Sequence, residues 1–418
     1  MALQLMRFTF IHTADWQIGK RFGGLDERLA GRLEEARLDA IDRIAQVASL
    51  HGARHVLVAG DVYDAPDLKE KTVRQPLTRM AQHGALTWVL LPGNHDPAGP
   101  GSIWSRVRRY GVADNIILAD RPEPITLATG VTVLPAPLTA KATRLDPTAW
   151  MNEAGADDGG LRIGLAHGSV HGFGSQGECQ VLVDPARVDA ARLDYLALGD
   201  WHGTKQISER CWYAGTPEPD NTTNNAKGQV LVVTLDRSGT RGERTGITVT
   251  PVASGHYVWA RVARQIAGAA DLVALEREIA ELAQPQKRLL LTLRLSGGLQ
   301  LCEHAALERL RAELDARVQH LDWRETDVTL LGDVDEAQLD QLAGTDGELR
   351  AVIARLVELA RDDGKQHDGK QRADGERNEN GDVGAGASSR SRSRPDPAVA
   401  RSALLKLLAF ARTTGEAA

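Results

Sequence analysis

Five short apolar runs in this chain each end in a glycine-bounded turn that carries Asp, Asn or His. They are residues 10–20 (FIHTADWQIGK), 56–64 (VLVAGDVYD), 89–97 (VLLPGNHDP), 163–170 (IGLAHGSV) and 195–203 (YLALGDWHG). A short apolar run bounded by turn residues reads as a buried strand. Between the first three runs lie stretches with helical spacing. Asp26 can cap a helix over 26–50, where Leu29, Leu33, Ala36, Ala40, Ile44 and Val47 recur on one face. Helices are also expected over 69–83 and 102–110. Strands that alternate with helices pair in parallel in a covered sheet. In such sheets ligand groups gather beyond the carboxyl ends of the strands. The five turns would then collect Asp15, Gln17, Asp61, Asn94, His95, His167, Asp200 and His202 in one crevice.

After residue 110 the pattern changes. Strand-like runs at 116–119, 125–127, 131–135, 162–166, 195–198, 229–235 and 247–252 have few helical stretches between them. The expected fold is α/β: two sheets packed face to face with helices outside, over residues 1–255. A second β-α-β-α-β block over 256–335 reads as a small α/β domain, followed by a helix over 336–361. Residues 362–397 hold almost no large apolar side chain and cannot offset their ordering entropy, so a disordered linker is expected there. A last helix over 398–412 is apolar at Leu404, Leu405, Leu407, Leu408 and Phe410. It suits docking onto this chain or onto a partner.

Carboxylates, an amide oxygen and imidazoles, with no thiolate, suit Mn²⁺, Fe²⁺ or Zn²⁺. Three aspartates drawn together repel unless cations neutralise them. Seven donors besides His95 exceed what one ion uses, and two ions roughly 3.5–4 Å apart sharing a carboxylate account for the number. Each segment alone also reads as an ordinary turn, and His167 alone as a hydrogen-bonded structural residue. The GNHD turn is more specific, because nothing in packing calls for it.

The five segments resemble the motifs of the calcineurin-like metallophosphoesterases, DxH, GDxxD, GNH[DE], H and GHxH. HTADW, GNHDP and YLALGxxH are similar to the SbcD-like DNA-repair nuclease branch, including a manganese-dependent bacterial endonuclease whose gene cluster also encodes a helicase and a ligase. The motif likeness covers about the first 200 residues. It implies a four-layer α/β/β/α sandwich, with 256–335 as a capping domain. It implies one ion on Asp15, Gln17, Asp61 and His202, and a second on Asp61, Asn94, His167 and Asp200. His95 would stand beside the scissile phosphate without binding metal. Carboxylates often orient a functional histidine from behind, and Asp64 or Asp96 could do so here, while Asp64 reads also as a turn or helix-cap residue. Two positions depart from the family pattern: Gln17 replaces a His, and Asp200 replaces the first His of GHxH. Both move the site toward oxygen ligation, which favours Mn²⁺ over Zn²⁺.

The resemblance implies a two-metal DNA nuclease in repair, acting on single-stranded DNA or DNA ends. A phosphatase or phosphodiesterase on small phosphoesters is the alternative, and a non-catalytic scaffold that has lost turnover at Gln17 and Asp200 is another. A net charge of −6 does not mark a nucleic-acid binder, so contact with DNA must come from a local patch or from bound metal. Candidate backbone contacts are Lys20, Arg21, Arg106, Arg108, Arg109 and Lys205, although each taken singly reads first as a solvated surface charge. Trp16, Trp104 and Trp201 lie near the motifs and could stack on bases or wall the site. A repair ATPase, helicase or ligase is the partner expected for the C-terminal region. Cys179, Cys211 and Cys302 are few and scattered, which suits a reducing cytoplasm. No apolar run is long enough for a membrane span.

Overall fold

The computed structural model describes residues 6–154, 160–170, 181–222, 227–237, 245–330 and 347–360, and also 399, 400, 403, 404 and 407. Two compact units divide the chain: Met1–Arg261 with Leu282–Leu291, and Val262–Glu281 with Thr292–Ala418.

The first unit opens with β1 (Met6–Thr13), α1 (Glu27–Leu50), β2 (His55–Val58), α2 (Glu70–Gln82), β3 (Thr87–Leu90), α3 (Ile103–Tyr110) and β4 (Ile116–Leu118). The alternation expected from periodicity is borne out, and Asp26 caps α1 by accepting the Leu29 N–H at 3.0 Å. The next elements are β5 (Ile125–Ala128), β6 (Val131–Ala136), β7 (Leu161–His167), β8 (Ser169–Val170), β9 (Leu182–Val183), α4 (Arg187–Ala190) and β10 (Tyr195–Gly199). They are followed by β11 (Lys205–Ser208), β12 (Cys211–Tyr213), β13 (Gln229–Arg237) and β14 (Gly246–Ala253).

These strands form two six-stranded sheets, ordered β14-β13-β1-β2-β3-β4 and β11-β12-β10-β7-β6-β5. In the first, β1 to β4 run parallel, with Ile11 beside Val56, Val56 beside Trp88, and Trp88 beside Ile116. The two sheets pack face to face. Phe10, Leu57 and Val89 of one meet Val133, Ile163, Leu165 and Tyr195 of the other in a buried cluster. Burying each such side chain contributes about 1.5–3 kcal/mol. On the outer face of the first sheet, Ile41, Ile44 and Ala48 of α1 pack with Val56, Val58 and Trp88. The outer face of the second is covered by Met151, Val188 and Leu193. The α/β/β/α order is as expected, but among the described residues the fourth layer is thin: α4 has 4 residues, and its companion is a 3-10 turn at Ala149–Asn152.

The second unit is centred on a three-stranded sheet, β15-β16-β17. Its elements are β15 (Val258–Ile266), α5 (Ala269–Leu282), β16 (Leu289–Leu299), α6 (Leu301–Arg317) and β17 (His320–Leu330), and then α7 (Gly347–Ala360). The boundary between the units runs through β15 and β16. The expected linker over 362–397 lies outside the described residues, as do 336–346 of the preceding helix. Of the last helix, residues 399, 400, 403, 404 and 407 are described, and they are helical. No helix among the described residues is long and apolar enough to cross a membrane.

Candidate metal centre

The turn after β1 and the turn after β2 continue the parallel pairing of their strands. The N–H groups of Asp15, Gln17 and Ile18 donate to the carbonyls of Gly60, Asp61 and Val62 at 3.1, 2.9 and 2.9 Å. This pairing holds side chains in backbone conformations that L-residues rarely adopt. Five described non-glycine residues have positive φ, and four of them are predicted ligands: Asp15 (54°), Gln17 (44°), Asp61 (53°) and Asp200 (104°). Such residues cost about 1–3 kcal/mol each and persist only where the surroundings enforce them, commonly at functional sites. The second sheet joins through Asp200, whose N–H donates to Asp15 Oδ1 at 3.1 Å.

Glycines let these turns close. A Cβ on Gly60 would fall 2.1 Å from His167 Nδ1, and one on Gly93 would fall 2.1 Å from Asp61 Oδ1. The motif glycines are therefore space for ligand side chains as much as turn-formers.

Asp15, Asp61 and His167 are buried and bring ligand atoms within 4.8 Å of one another. His167 Nδ1 faces the Ala59 carbonyl at 2.8 Å, so that nitrogen carries a proton. Its Nε2 then points at acceptors: Asn94 Oδ1 at 2.8 Å, Asp61 Oδ2 at 3.5 Å and Asp200 Oδ1 at 3.9 Å. Oxygens from four residues and one imidazole nitrogen converge there, and a proton on Nε2 is what lets the ring face them. Burial favours neutral His167, but Asp61, Asp15 and Asp200 outweigh it and raise its pKa well above the ordinary value. Burial, with help from Asp61 and Asp200, pushes Asp15 up to about 6 against the opposing pull of His167 and His202. Burial acts the same way on Asp61, but His167 and His95 overcome it and hold that carboxyl below its usual range. A divalent cation can take the place of that proton and neutralise the carboxylates, so the donor set fits a metal.

Gln17 and His202 stand together beside this cluster, Nε2 to Nε2 at 3.0 Å. The Gln17 oxygen accepts from Lys20 Nζ at 3.1 Å, so Lys20 turns into the site rather than toward a DNA backbone. His95 donates its N–H to Asp61 Oδ1 at 2.9 Å. Its ring Nδ1 meets the main-chain carbonyl of Asp64 at 2.9 Å, so Asp64 contacts the ring through its backbone. The Asp96 carboxylate faces inward instead and accepts from Gly93 N at 2.6 Å and Tyr63 N at 3.0 Å. It ties two motif turns together.

The other predicted DNA contacts divide. Arg106 donates to the Leu68 carbonyl at 2.7 Å, and Arg108 to Asp120 Oδ2 at 2.7 Å, so both guanidiniums are engaged within the fold. Arg21 and Arg109 are exposed. Lys205 Nζ lies 5.5 Å from the centre of the half-buried Trp201 ring. Trp16 and Trp104 are 2% and 1% exposed, which removes them as stacking platforms for bases.

Sequence reasoning missed three residues. Ser169 Oγ donates to Asp200 Oδ2 at 2.7 Å. Asp220 meets His202 Nδ1 at 3.3 Å, and Arg37 reaches Asp220 from α1 at 3.3 Å. Arg37 had a signal, since it sits inside the apolar stripe of Leu33, Ala36 and Ala40. Asp220 had none.

Residues 8–204 match the family model for calcineurin-like phosphoesterase. The D subunit of the nuclease SbcCD from Bacillus subtilis (strain 168) is 30% identical over 89 residues, 21% of this chain and 21% of that protein. Among solved structures, TT1561 of Thermus thermophilus is 10% identical and aligns over 60% of this chain and 100% of its own, with a TM-score of 0.37. A purple acid phosphatase from yellow lupin (Lupinus luteus) seeds is 13% identical over 59% of this chain and 54% of its own, with a TM-score of 0.35. Residues 8–204 of this chain therefore carry a calcineurin-like phosphoesterase domain.

Proposed function

We propose that this chain is a DNA nuclease that hydrolyses phosphodiesters with two divalent ions, Mn²⁺ by preference, and acts in repair on single-stranded DNA or DNA ends. Metal-dependent phosphoester hydrolysis is the chemistry of the domain it carries. The observation that carries the metal reading is the convergence of Asp15, Asp61, Asn94, His167 and Asp200 around one point. Asp15, Gln17, Asp61 and His202 would hold one ion, Gln17 only with its side-chain oxygen released from Lys20, and Asp61, Asn94, His167 and Asp200 the other. Bound divalent ions lower the pKa of a water toward neutrality and neutralise phosphate oxygens. His95, with its ring fixed on the Asp64 carbonyl, stabilises charge on the phosphate and protonates the leaving oxygen. DNA is favoured as substrate by the partial likeness to a nuclease subunit. The C-terminal helix is proposed to dock a repair ATPase, helicase or ligase.

The test is one incubation of the chain with Mn²⁺, labelled single- and double-stranded DNA, and a chromogenic phosphate bis-ester. DNA cleavage that disappears in Asp61→Ala and His95→Ala is the expected result. Hydrolysis of the ester with intact DNA would assign a small-molecule phosphodiesterase instead. Silence on both substrates would leave a scaffold.

A further inference from the structure

The loop between β12 and β13 carries a side chain that none of the five motifs contains. Asp220 is 3% exposed, and its Oδ2 lies 2.9 Å from Lys20 Nζ, 3.3 Å from Arg37 Nη2 and 3.3 Å from His202 Nδ1. Those groups come from three places in the fold: the turn after β1, the buried face of α1, and the turn after β10. Arg37 is itself held, because its Nη1 donates to the Trp16 carbonyl at 2.8 Å. Asn221 Nδ2 donates to the other Asp220 oxygen at 2.8 Å.

A carboxylate cannot donate, so the Nδ1 nitrogen that faces it is the protonated one. That leaves Nε2 as the acceptor of the His202 ring, and Nε2 points toward Gln17, whose amide nitrogen stands 3.0 Å away. Lys20 fixes the matching end of Gln17 by occupying its oxygen. The tautomer and the ring direction of His202 are thus both set from behind. A ligating imidazole needs such an arrangement, and loss of the outer partner typically weakens metal binding by about 10–100-fold.

We infer that Asp220 is the positioning residue that fixes the His202 ring for metal ligation through Nε2, and that Lys20 and Arg37 hold Asp220 in place. The inference rests on His202 being a metal ligand, as proposed above. If Asp220 only neutralised Lys20 and Arg37, its removal would affect folding and leave ion affinities unchanged.

The experiment is a Mn²⁺ titration of the full chain, followed by electron paramagnetic resonance, with thermal melting as the control for folding. Wild type, Asp220→Asn, His202→Ala and the double variant are compared. The expected result is two ions on the wild type. In Asp220→Asn one ion should bind as before and the other about 10–100-fold more weakly. In the double variant binding should be no weaker than in His202→Ala alone. Wild-type affinities for both ions in Asp220→Asn, or fully additive losses in the double variant, would overturn the positioning role while leaving the metal centre intact. A wild-type chain that takes up no ion would instead overturn the metal centre and this assignment with it. Should Asp220→Asn fail to fold, a long-range proton–nitrogen spectrum of the wild type decides. With Zn²⁺ bound, the His202 ring should carry its proton on Nδ1, and a ring protonated on Nε2 would refute the inference.

Discussion

At the residue scale, the two kinds of side chain at the site should separate on mutation. Asp61 is buried at the meeting point of the candidate ligands, and its backbone is held there in a left-handed conformation, φ 53°. Asp61→Ala should therefore lose ion uptake and cut turnover by more than the roughly hundredfold that loss of an outer partner can reach. His95 contacts Asp61 through its main chain and Asp64 through its ring, so His95→Gln should keep ion uptake and lower kcat by about 10²–10⁴-fold. Metal content and bis-ester turnover measured on the same preparations check both. These residues were legible in the sequence because each sits in a glycine-bounded turn after an apolar run. Asp220 was not, because its partners Lys20, Arg37 and His202 lie far away in the chain and a loop aspartate has no periodicity to betray it. The atom of Asp64 that meets the His95 ring is a backbone carbonyl, which no pattern of side chains in a sequence displays.

At the scale of elements, the turns matter more than the strands. Gly60 has φ +90°, and a Cβ there would meet the His167 ring at 2.1 Å, so Gly60→Ala should displace that ring and strain the turn together. Its melting temperature should fall and its ion affinity should drop, and a melting curve with and without Mn²⁺ reads both effects. His12, next to last in β1, lies between the two sheets, with Nδ1 on Tyr195 Oη and Nε2 on the Leu198 carbonyl, each at 3.1 Å. Burial lowers its pKa from the ordinary 6.5 to about 3, against a smaller raising effect of the Leu198 bond. Between those two values the unfolded chain binds a proton that the folded chain refuses. The His12 contribution is therefore constant above pH 6.5 and turns against folding as pH falls toward 3, by up to about 1.4 kcal/mol per pH unit. His12→Gln should flatten that part of the stability profile in denaturant titrations across this range. The parallel strands and the long helices were readable from apolar spacing. The β11–β12 hairpin was not, since Lys205–Ser208 alternates in exposure at an edge and Cys211–Tyr213 is 3 residues long.

At the scale of the whole molecule, charge and architecture bear on the same question. The chain carries −6 overall, Arg106 and Arg108 are engaged within the fold, and Lys20 is turned into the site. Among the predicted backbone contacts that leaves Arg21, Arg109 and Lys205 to meet a phosphate backbone, and cations bound at the crevice would add to their attraction. The sandwich supplies the place: β1, β2 and β3 of one sheet and β7 and β10 of the other all end at the same edge, and their turns interlock there. Crystals soaked in Mn²⁺ and measured at the manganese edge would show directly whether cations bind at that edge. Two anomalous peaks, about 3.5–4 Å apart, should lie among Asp15, Asp61, Asn94, His167, Asp200 and His202. An empty map at that position, or manganese bound only to carboxylates elsewhere on the surface, would contradict a metal centre built from these turns.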